Sequence, residues 1–429
     1  MEKKWLGKTA IYAMTYMGIA MLMQIVVTWT MYFFAPPADI RQAYLSVTSI
    51  GFILALGRVV DAVTDPLIGI WSDNTRTRMG KRLPFIVAGG LPLALSFILL
   101  WHPPTTHPSP QNFIYTMLII SAFFFFYTMV TCPFLALIPE VAEKKEKRPL
   151  VSSFLAFFYL MGLAIAMIGS AIMIEKFGFQ GMGWVIGLLA LFCFYMPLLM
   201  VKEKNIARQK KKISFHEAFK LSLKNRSFTT YIICQPFFWF GLQLTLMGLP
   251  YIMVTMIGIE DYNTGWSLAI ALGVALLSFP LILFLSKKLG KKRLFINIMV
   301  FACFILCLLP FVGLGYLPIS LSIPMQTYVL IGLAGIPLAG LFILPNVMMA
   351  DIIDEDEKIA GHRREAFYYG AQGFMVKLAV GLSALGLALL MHFLGYSGDD
   401  PLGPILIGPL AALFILIGVV LFKKYPIDE

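Results

Sequence analysis

Charged side chains are scarce in this sequence. Only 13% of the 429 residues are Asp, Glu, Lys or Arg, whereas a typical soluble domain has about 25%, and 59% of the residues are hydrophobic. So few charges cannot cover the surface of a water-soluble protein of this length, which excludes a soluble fold. The composition instead predicts an all-α integral membrane protein.

Motifs of several functional classes are also missing. No GxxxxGK[ST], HExxH or GxSxG occurs, so the sequence lacks the parts for ATP hydrolysis and for hydrolytic catalysis, and we expect neither an enzyme nor a cofactor. The basic residues are spread in short clusters between apolar runs, which argues against nucleic acid as a partner. Five cysteines lie in apolar stretches without CxxC spacing and are interpreted as small core residues: Cys132, Cys193, Cys234, Cys303 and Cys307.

Long apolar runs are abundant. The first continues from residue 9 to residue 34, too long for a signal peptide and without a cleavage site, so it is the first predicted span. Runs of about 20 residues or more predict twelve transmembrane helices. They fall near 9–34, 43–70, 84–101, 112–138, 151–174, 181–201, 227–257, 265–286, 294–316, 325–349, 367–393 and 404–422.

The distribution of Lys and Arg predicts the orientation of these spans. Arg41 and Lys176 are the basic residues of the segments predicted outside, Arg58 and Lys377 fall within spans, and all others lie in segments predicted inside. By the positive-inside rule, both termini are cytoplasmic.

An internal repeat predicts two halves. The loop "RMGKRLPF" after span two has a counterpart in "KLGKKRLF" after span eight, which places Gly80 and Gly290 210 positions apart. The predicted domains are an N-terminal six-helix half (1–201), a basic cytoplasmic linker (202–226) and a C-terminal six-helix half (227–429). Two six-helix halves related by a parallel repeat are the plan of the major facilitator transporters.

Span two contains buried charges. Arg58, Asp61 and Asp65 follow i, i+3, i+7 spacing and share one helix face, with Thr64 beside them. Two carboxylates one turn apart repel each other at low dielectric unless a cation, H⁺ or Na⁺, lies between them. Because charges within a membrane are costly, the cluster predicts a cation site with Na⁺ possible at Asp61 and Asp65, although a structural salt bridge of Arg58 with one Asp stays open.

Prolines add oxygen ligands to this prediction. Pro66 cannot donate to the carbonyl of Ala62, and Pro133 in span four frees the carbonyl of Met129. Thr128 and Thr131 share a face of span four. Carboxylate, hydroxyl and carbonyl oxygens are the ligands that a hard cation prefers.

Lys377 is the buried cation of the second half. No charged residue lies within ten positions on its C-terminal side, so its ammonium cannot easily reach the cytoplasmic edge. We expect it to face a central cavity, to neutralise Asp61 or Asp65, and to be displaced when a cation binds. The alternative is a structural counter-ion.

At this point the motifs resemble a known family. "RVVDAVTDPLIGIWSDNTRTRMGKRLPF", "FYTMVTCPFLALIPE", "ADIIDEDEKIAGHRRE" and "YYGAQGFMVK" resemble the glycoside–pentoside–hexuronide:cation symporters of the major facilitator superfamily. The resemblance implies a bacterial inner (plasma) membrane location, multi-pass, and a cation site at Asp61, Thr64, Asp65 and Thr128. It also implies roles for Lys377 and Gln372 in helix eleven. The cytoplasmic gate that it implies consists of Arg148, Asp351, Asp354, Glu357 and Arg363, for which ordinary solvated charge is the alternative.

The family's sugar-binding positions are mostly changed. Thr9, Thr131 and Ala156 stand where its melibiose-transporting members have two acids and an Arg, and Leu135 replaces a Trp. A galactoside site of that type is therefore mostly absent. The segment "TMVTCP" also resembles the animal lysophosphatidylcholine symporters, which carry amphiphiles.

Other polar residues are candidates for contact with the cargo. Gln235, Trp239 and Gln243 share one face of span seven, and Tyr12 and Tyr16 share one face of span one. Aromatic rings with amide groups suit a sugar. Alternatively, these side chains satisfy one another between helices.

These observations predict a cation-coupled (Na⁺ or H⁺) secondary symporter for a glycoside or sugar-type solute, working by alternating access. The alternative cargo is a lysolipid or another amphiphilic anion, and a channel or membrane enzyme is less favoured. The expected partners are a small-molecule solute and membrane lipid, and the expected state is a monomer.

Overall fold

Helices joined by short loops make up the part of the chain that the computed structural model describes, namely residues 2–141, 148–196, 225–258, 263–313, 321–360 and 365–426. Eleven of the described helical segments are long and apolar enough to cross a membrane. The predicted all-α membrane class is therefore confirmed.

The chain divides into two compact units, and the first comprises Met1–Arg208. Its helices are formed by the apolar runs of the sequence, joined by short polar loops and one helical turn at Ile138–Val141. They are α1 Glu2–Phe34, α2 Val47–Asn74, α3 Leu83–Leu100, α4 Pro110–Ala136, α5 Arg148–Ala164 and α6 Ser170–Tyr195.

The second unit comprises Gln209–Glu429. The first of its described helices is capped by Asn225, whose side chain accepts a hydrogen bond from the backbone N–H of Phe228 at 2.9 Å. The helices are α7 Arg226–Tyr251, α8 Asn263–Leu289, α9 Lys291–Gly313, α10 Ile323–Ala360, α11 Glu365–Leu394 and α12 Leu402–Phe422. The predicted linker, 202–226, lies outside the described residues except for its last two, and the predicted domain boundaries stay predictions.

Helix packing follows the same pattern inside each unit. In the first unit, α1 packs on α5 and α6, α3 packs on α4 and α6, and α2 packs on α4. In the second, α7 packs on α11 and α12, α9 packs on α10 and α12, and α8 packs on α10. Each of these contacts of the first unit therefore recurs in the second, six places later in the order of the described helices.

Each of the repeated loops contains a glycine with positive φ. Gly80 after α2 has φ 106° and Gly290 after α8 has φ 82°, values that a residue with a Cβ rarely adopts. In the first loop, the Thr77 hydroxyl donates to the Gly80 carbonyl at 2.7 Å and closes the turn. The glycines therefore recur because both turns need a left-handed residue.

The region of predicted spans five and six has a break in helical geometry between them. The sequence predicts separate spans at 151–174 and 181–201, and both fall largely within the apolar segment Leu150–Tyr195, of 46 residues. This segment contains a π-helical turn at Ile165–Gly169 and a kink at Gly178, where φ is 67° and ψ is 179°. Gly178 lies in the short connection predicted between the two spans, and its non-helical backbone divides one helix from the next.

Candidate functional site

The predicted cation site depends on a close approach of α2 to α4. Gly57 makes this approach possible, since a Cβ at this position would lie 2.5 Å from the ring of Phe124. Asp61 lies one turn after Gly57 and Asp65 lies two turns after it, and the side chains of both reach α4 directly.

The centre of the site is a buried chain of hydroxyls that ends on a carboxylate. Asp61 is fully buried, with an exposed fraction of 0%. Thr128 on α4 donates its hydroxyl hydrogen to Oδ1 of Asp61 at 2.9 Å, and the Thr64 hydroxyl lies 3.2 Å from that of Thr128. Thr64 also lies 2.8 Å from the carbonyl of Val60 on its own helix, and its single hydrogen serves one acceptor at a time. The structure thus brings together three of the four predicted cation ligands.

Arg58 supplies the positive charge of this cluster. Its Nη1 lies 3.5 Å from Oδ2 of Asp61, and both side chains are buried. The guanidinium carbon also lies 4.6 Å from the ring centroid of Phe124. An opposite charge and an aromatic face both stabilise a buried guanidinium, so Arg58 is held between α2 and α4.

Asp65 forms a second, less buried layer. The thiol of Cys132 on α4 lies 3.4 Å from Oδ1 of Asp65 and donates to it. The sequence analysis interpreted Cys132 as a small apolar core residue, so this contact was missed. The only signal was its position four residues after Thr128, which puts both side chains on the same face of α4.

The two prolines lie within helices that continue through them. Pro66 is inside α2 and Pro133 is inside α4. The absence of the hydrogen bond that Pro66 cannot donate does not interrupt α2. Both helices therefore keep the i, i+4 register that aligns Asp61 with Thr128 and Asp65 with Cys132.

The predicted cargo residues of the first unit have internal contacts. The Tyr12 hydroxyl donates to the carbonyl of Phe134 at 2.6 Å and its ring stacks on that of Phe134. The half-buried ring of Tyr16 lies 4.8 Å from that of Tyr159. The Thr131 hydroxyl is buried and has no hydrogen-bond partner in the described residues. Tyr12 thus supports the end of α4, while Thr131 keeps an unused hydroxyl.

A polar cluster in the second unit contains Gln235 and Gln372. Both side chains lie close to the hydroxyl of the buried Tyr231, which donates to the carbonyl of Pro345 on α10 at 3.1 Å. Trp239, one turn after Gln235, packs edge-to-face on Phe342. Tyr231 was missed by the sequence analysis because a lone tyrosine in an apolar run gives no signal of its partners.

Several atoms of this cluster keep unused hydrogen-bonding capacity. Among the predicted cargo and coupling residues of this unit, four buried atoms have no hydrogen-bond partner within the described part of the chain, although amide oxygen and nitrogen are interchangeable assignments. They are Oε1 of Gln235, Gln243 and Gln372, and Nε1 of Trp239. Buried polar groups normally find partners, so these atoms are available to a ligand or to water. The prediction that the residues only satisfy one another does not account for them.

The remaining predicted residues concern Lys377 and the gate. Lys377 lies half-buried on α11, and its expected pairing with Asp61 or Asp65 stays a prediction. Asp351 forms an ion pair with Lys291 at 2.6 Å, a partner that the sequence analysis did not name. Asp354 is exposed and Glu357 half-buried on the same helix, Arg148 begins α5, and Arg363 lies outside the described residues.

A basic residue between the second and third helices of the first unit, and one at the start of the third helix of the second unit, contacts the fourth helix of its unit. In the first unit, the Arg82 guanidinium donates to the carbonyl of Ala136 at the end of α4. In the second, Lys291 contacts Asp351 towards the end of α10. Asp351 therefore belongs to an attachment that recurs in both units, whatever its role in a gate.

A family model described as MFS/sugar transport protein matches residues 11–429. The chain belongs to this family. The match covers both units and includes every predicted site residue. The family resemblance inferred from the motifs is thereby confirmed, and the protein is a transporter of the MFS/sugar transport family.

Relatives of this MFS/sugar transport protein are named as symporters. The sodium-dependent lysophosphatidylcholine symporter 1 of Xenopus tropicalis is 27% identical, over 91% of this chain and 82% of its own length. YagG of Escherichia coli (strain K12), a protein named as a glycoside/cation symporter, is 26% identical over 88% of this chain and 82% of its own. The uncharacterized symporter sll1374 of Synechocystis is 24% identical over 96% of this chain and 92% of its own length. Symport is therefore the function common to the named relatives.

Solved structures show the same fold. The nucleoside transporter NupG has a TM-score of 0.68 at 14% identity, covering 97% of this chain and 99% of NupG. A bacterial homologue of the iron transporter ferroportin, in an inward-facing state, has a TM-score of 0.70 at 13% identity, covering 99% of each chain. The transporter fold is thus shared well beyond the range of recognisable sequence similarity.

Proposed function

We propose that the protein is a secondary symporter that couples the movement of an organic solute to that of Na⁺ or H⁺ bound at Asp61 and Asp65. The observation that carries this proposal is the fully buried carboxylate of Asp61, in contact with Arg58, Thr128 and, through Thr128, Thr64. A transporter that needed only a rigid scaffold would avoid the cost of these buried charges.

The coordination chemistry of the cluster supports a hard cation. Asp61 and Asp65 supply carboxylate oxygens, and Thr64 and Thr128 supply hydroxyl oxygens whose lone pairs remain available after each hydroxyl has donated its hydrogen. Na⁺ prefers such oxygen ligands. A proton bound by one carboxylate relieves the same repulsion, so the site serves either coupling ion, and no cofactor takes part.

For the architecture, we propose twelve membrane crossings in two six-helix halves. The segment Leu150–Tyr195 has 46 residues, which at about 1.5 Å per residue is about twice the thickness of a bilayer core of about 30 Å. Two crossings that meet at the Gly178 kink fit this length. The recurrence of the packing pattern six helices later supports the two halves.

A polar, hydroxyl-bearing solute is the cargo that the second unit supports best. Three glutamine oxygens and the Trp239 N–H are buried there without hydrogen-bond partners among the residues that the structure describes. A glycoside or other sugar-type molecule carries alternating donors and acceptors on a ring with apolar faces, and it would satisfy these atoms while contacting the indole. The relative named for glycoside/cation symport accords with this cargo.

A lysolipid is the second candidate. It is favoured by the relative named as a lysophosphatidylcholine symporter and by Thr9, whose hydroxyl donates to the carbonyl of Trp5 in its own helix at 3.1 Å. Thr9 takes the place of an acid that the resembling sugar transporters use. On this alternative, an anionic headgroup would bind Lys377.

The other predictions are kept as parts of this proposal. Lys377 links the cation to the cargo, and the charged residues of α10 with Arg148 and Arg363 close the cytoplasmic side. This proposal includes a multi-pass monomer in the bacterial inner membrane with both termini in the cytoplasm, and the distribution of Lys and Arg supports that orientation of the termini.

A ligand-stabilisation screen tests the function. The thermal midpoint of purified protein is measured with glycosides, hexuronates and lysophospholipids, each with and without Na⁺ and at two pH values. We expect a glycoside or hexuronate to stabilise the protein more strongly in the presence of the coupling ion. Ion-dependent stabilisation by lysophospholipids alone would select the second candidate, and the absence of any ion-dependent ligand would contradict symport.

A further inference from the structure

The two carboxylates of α2 contact different chemical groups on α4. Asp61 accepts a hydrogen bond from the hydroxyl of Thr128 at 2.9 Å, and Asp65 accepts one from the thiol of Cys132 at 3.4 Å. Both members of the second pair follow those of the first by four residues, so the pairs are stacked one helical turn apart. Beside the carboxylate, α4 offers a hydroxyl oxygen to a cation in the first pair and a sulfur in the second.

Sulfur and oxygen differ as ligands of an alkali cation. Hard cations bind carboxylate, hydroxyl and carbonyl oxygens, whereas thiols suit soft metals. Cys132 therefore lies where an oxygen ligand could bind Na⁺ beside Asp65, but its sulfur is a poor ligand for Na⁺. Because both Asp65 and Cys132 are only half-buried, an ion reaches this layer without unfolding of the helix pair.

We propose that Cys132 determines the ion specificity of the site by withholding one oxygen ligand beside Asp65. This inference rests on the proposed cation site at Asp61 and Asp65 and names a residue that sets its affinity for Na⁺. A serine at this position would place a hydroxyl oxygen where the sulfur now lies, with little change in volume, and would complete a second carboxylate–hydroxyl pair like that of Asp61 and Thr128.

The experiment compares Cys132→Ser with Cys132→Ala by titrating Na⁺ into the purified full-length protein in a calorimeter at fixed pH. We expect Cys132→Ser to bind Na⁺ about two- to tenfold more tightly, as one added polar contact supplies. Cys132→Ala adds no ligand and should not tighten binding. If the wild-type protein binds no Na⁺, Cys132→Ser should gain measurable binding.

A matched control is available in the second unit. Cys303 is also half-buried, and its thiol lies 3.4 Å from an oxygen, the carbonyl of Ala412. Cys303→Ser makes the same chemical change away from any carboxylate and should leave Na⁺ affinity unchanged. Should Cys132→Ser fail to fold, Cys132→Thr supplies the same hydroxyl.

Two results would overturn the inference. One is equal Na⁺ affinity in the wild type and in every hydroxyl variant at position 132, and the other is equal tightening by Cys132→Ala. Neither result would contradict the proposed function. That function is tested separately by measuring ion binding in Asp61→Asn, where we expect binding to be lost.

Discussion

The hydroxyl of Thr128 donates to Oδ1 of Asp61 over 2.9 Å, and this contact ties α4 to the most deeply buried carboxylate of α2. Since a hydroxyl can donate to a carboxylate and still offer its lone pairs, the same group holds Asp61 in place and remains a ligand for a cation. Binding of an ion at Asp61 is therefore expected to act on α4 through Thr128.

Thr128→Val should weaken binding of the coupling ion about 10- to 100-fold, because hydrogen bonds to charged groups contribute about 1.5–3 kcal/mol. Valine keeps the shape of threonine and removes only the hydroxyl. Thr128→Ser keeps the hydroxyl and should stay near wild-type affinity. Sodium titration by calorimetry decides this, and equal affinities in all three proteins would remove Thr128 from the site.

Arg58→Gln should destabilise the protein strongly. The change leaves Asp61 buried without the guanidinium at 3.5 Å, and breaking a buried pair in this way costs about 3–5 kcal/mol. Arg58→Lys keeps the charge but loses the planar group over Phe124 and should give an intermediate thermal midpoint. The double variant Arg58→Gln, Asp61→Asn should recover part of the loss. An unchanged midpoint in Arg58→Gln would show that the pair has little energetic weight.

Trp239→Phe and Gln235→Leu should each impair cargo binding while sodium affinity stays unchanged. Both remove buried polar atoms that have no partner within the described residues and keep most of the side-chain volume. Gln326→Leu is the control, since this buried glutamine already donates to the carbonyl of Leu321 at 2.7 Å. The measurement is cargo affinity from the stabilisation screen, and wild-type affinity in both variants would place the cargo elsewhere.

The pair of Lys291 and Asp351 should have a small coupling energy. The two side chains are 33% and 31% exposed, and such pairs contribute about 0.2–1 kcal/mol in double-mutant cycles. The cycle uses Lys291→Met, Asp351→Asn and the double variant, with thermal or denaturant unfolding. Coupling of zero, together with measurable coupling of Asp351 to Arg148, would favour the gate predicted from sequence.

The sequence predicted the membrane class and the site residues of α2 for physical reasons. Arg58, Asp61 and Asp65 are conspicuous because charge is rare within apolar runs and because helical spacing places them on one face. Thr128 shares a face of span four with Thr131 near Pro133, which makes it a candidate oxygen ligand, and the family resemblance then implies its place in the cation site. The contact between Asp61 and Thr128 then depends on Gly57, whose small size sets the approach of α2 to α4.

The remaining contacts needed the relative register of packed helices, which a single sequence does not contain. Cys132 lies against Asp65 because the Thr128 contact aligns α4 with α2. The sequence around Cys132 is mostly apolar, so from the sequence alone it is interpreted as a core residue. Tyr12 is a candidate for contact with the cargo, with a contact between helices as the alternative; its hydroxyl donates to the carbonyl of Phe134, and its role towards the cargo stays a prediction. At Gly178, within the short connection predicted between spans five and six, the backbone leaves helical geometry, so the two helices meet at a kink.

The most direct test of the cation site is uphill uptake by proteoliposomes containing Asp61→Asn. The cargo found in the screen is offered with an inward gradient of Na⁺ or of H⁺, and its final concentration ratio across the membrane is measured. We expect the wild type and Glu175→Gln, a change of an exposed carboxylate, to accumulate cargo, and Asp61→Asn to reach only equal concentrations inside and outside. Accumulation by Asp61→Asn to the wild-type ratio would contradict the account.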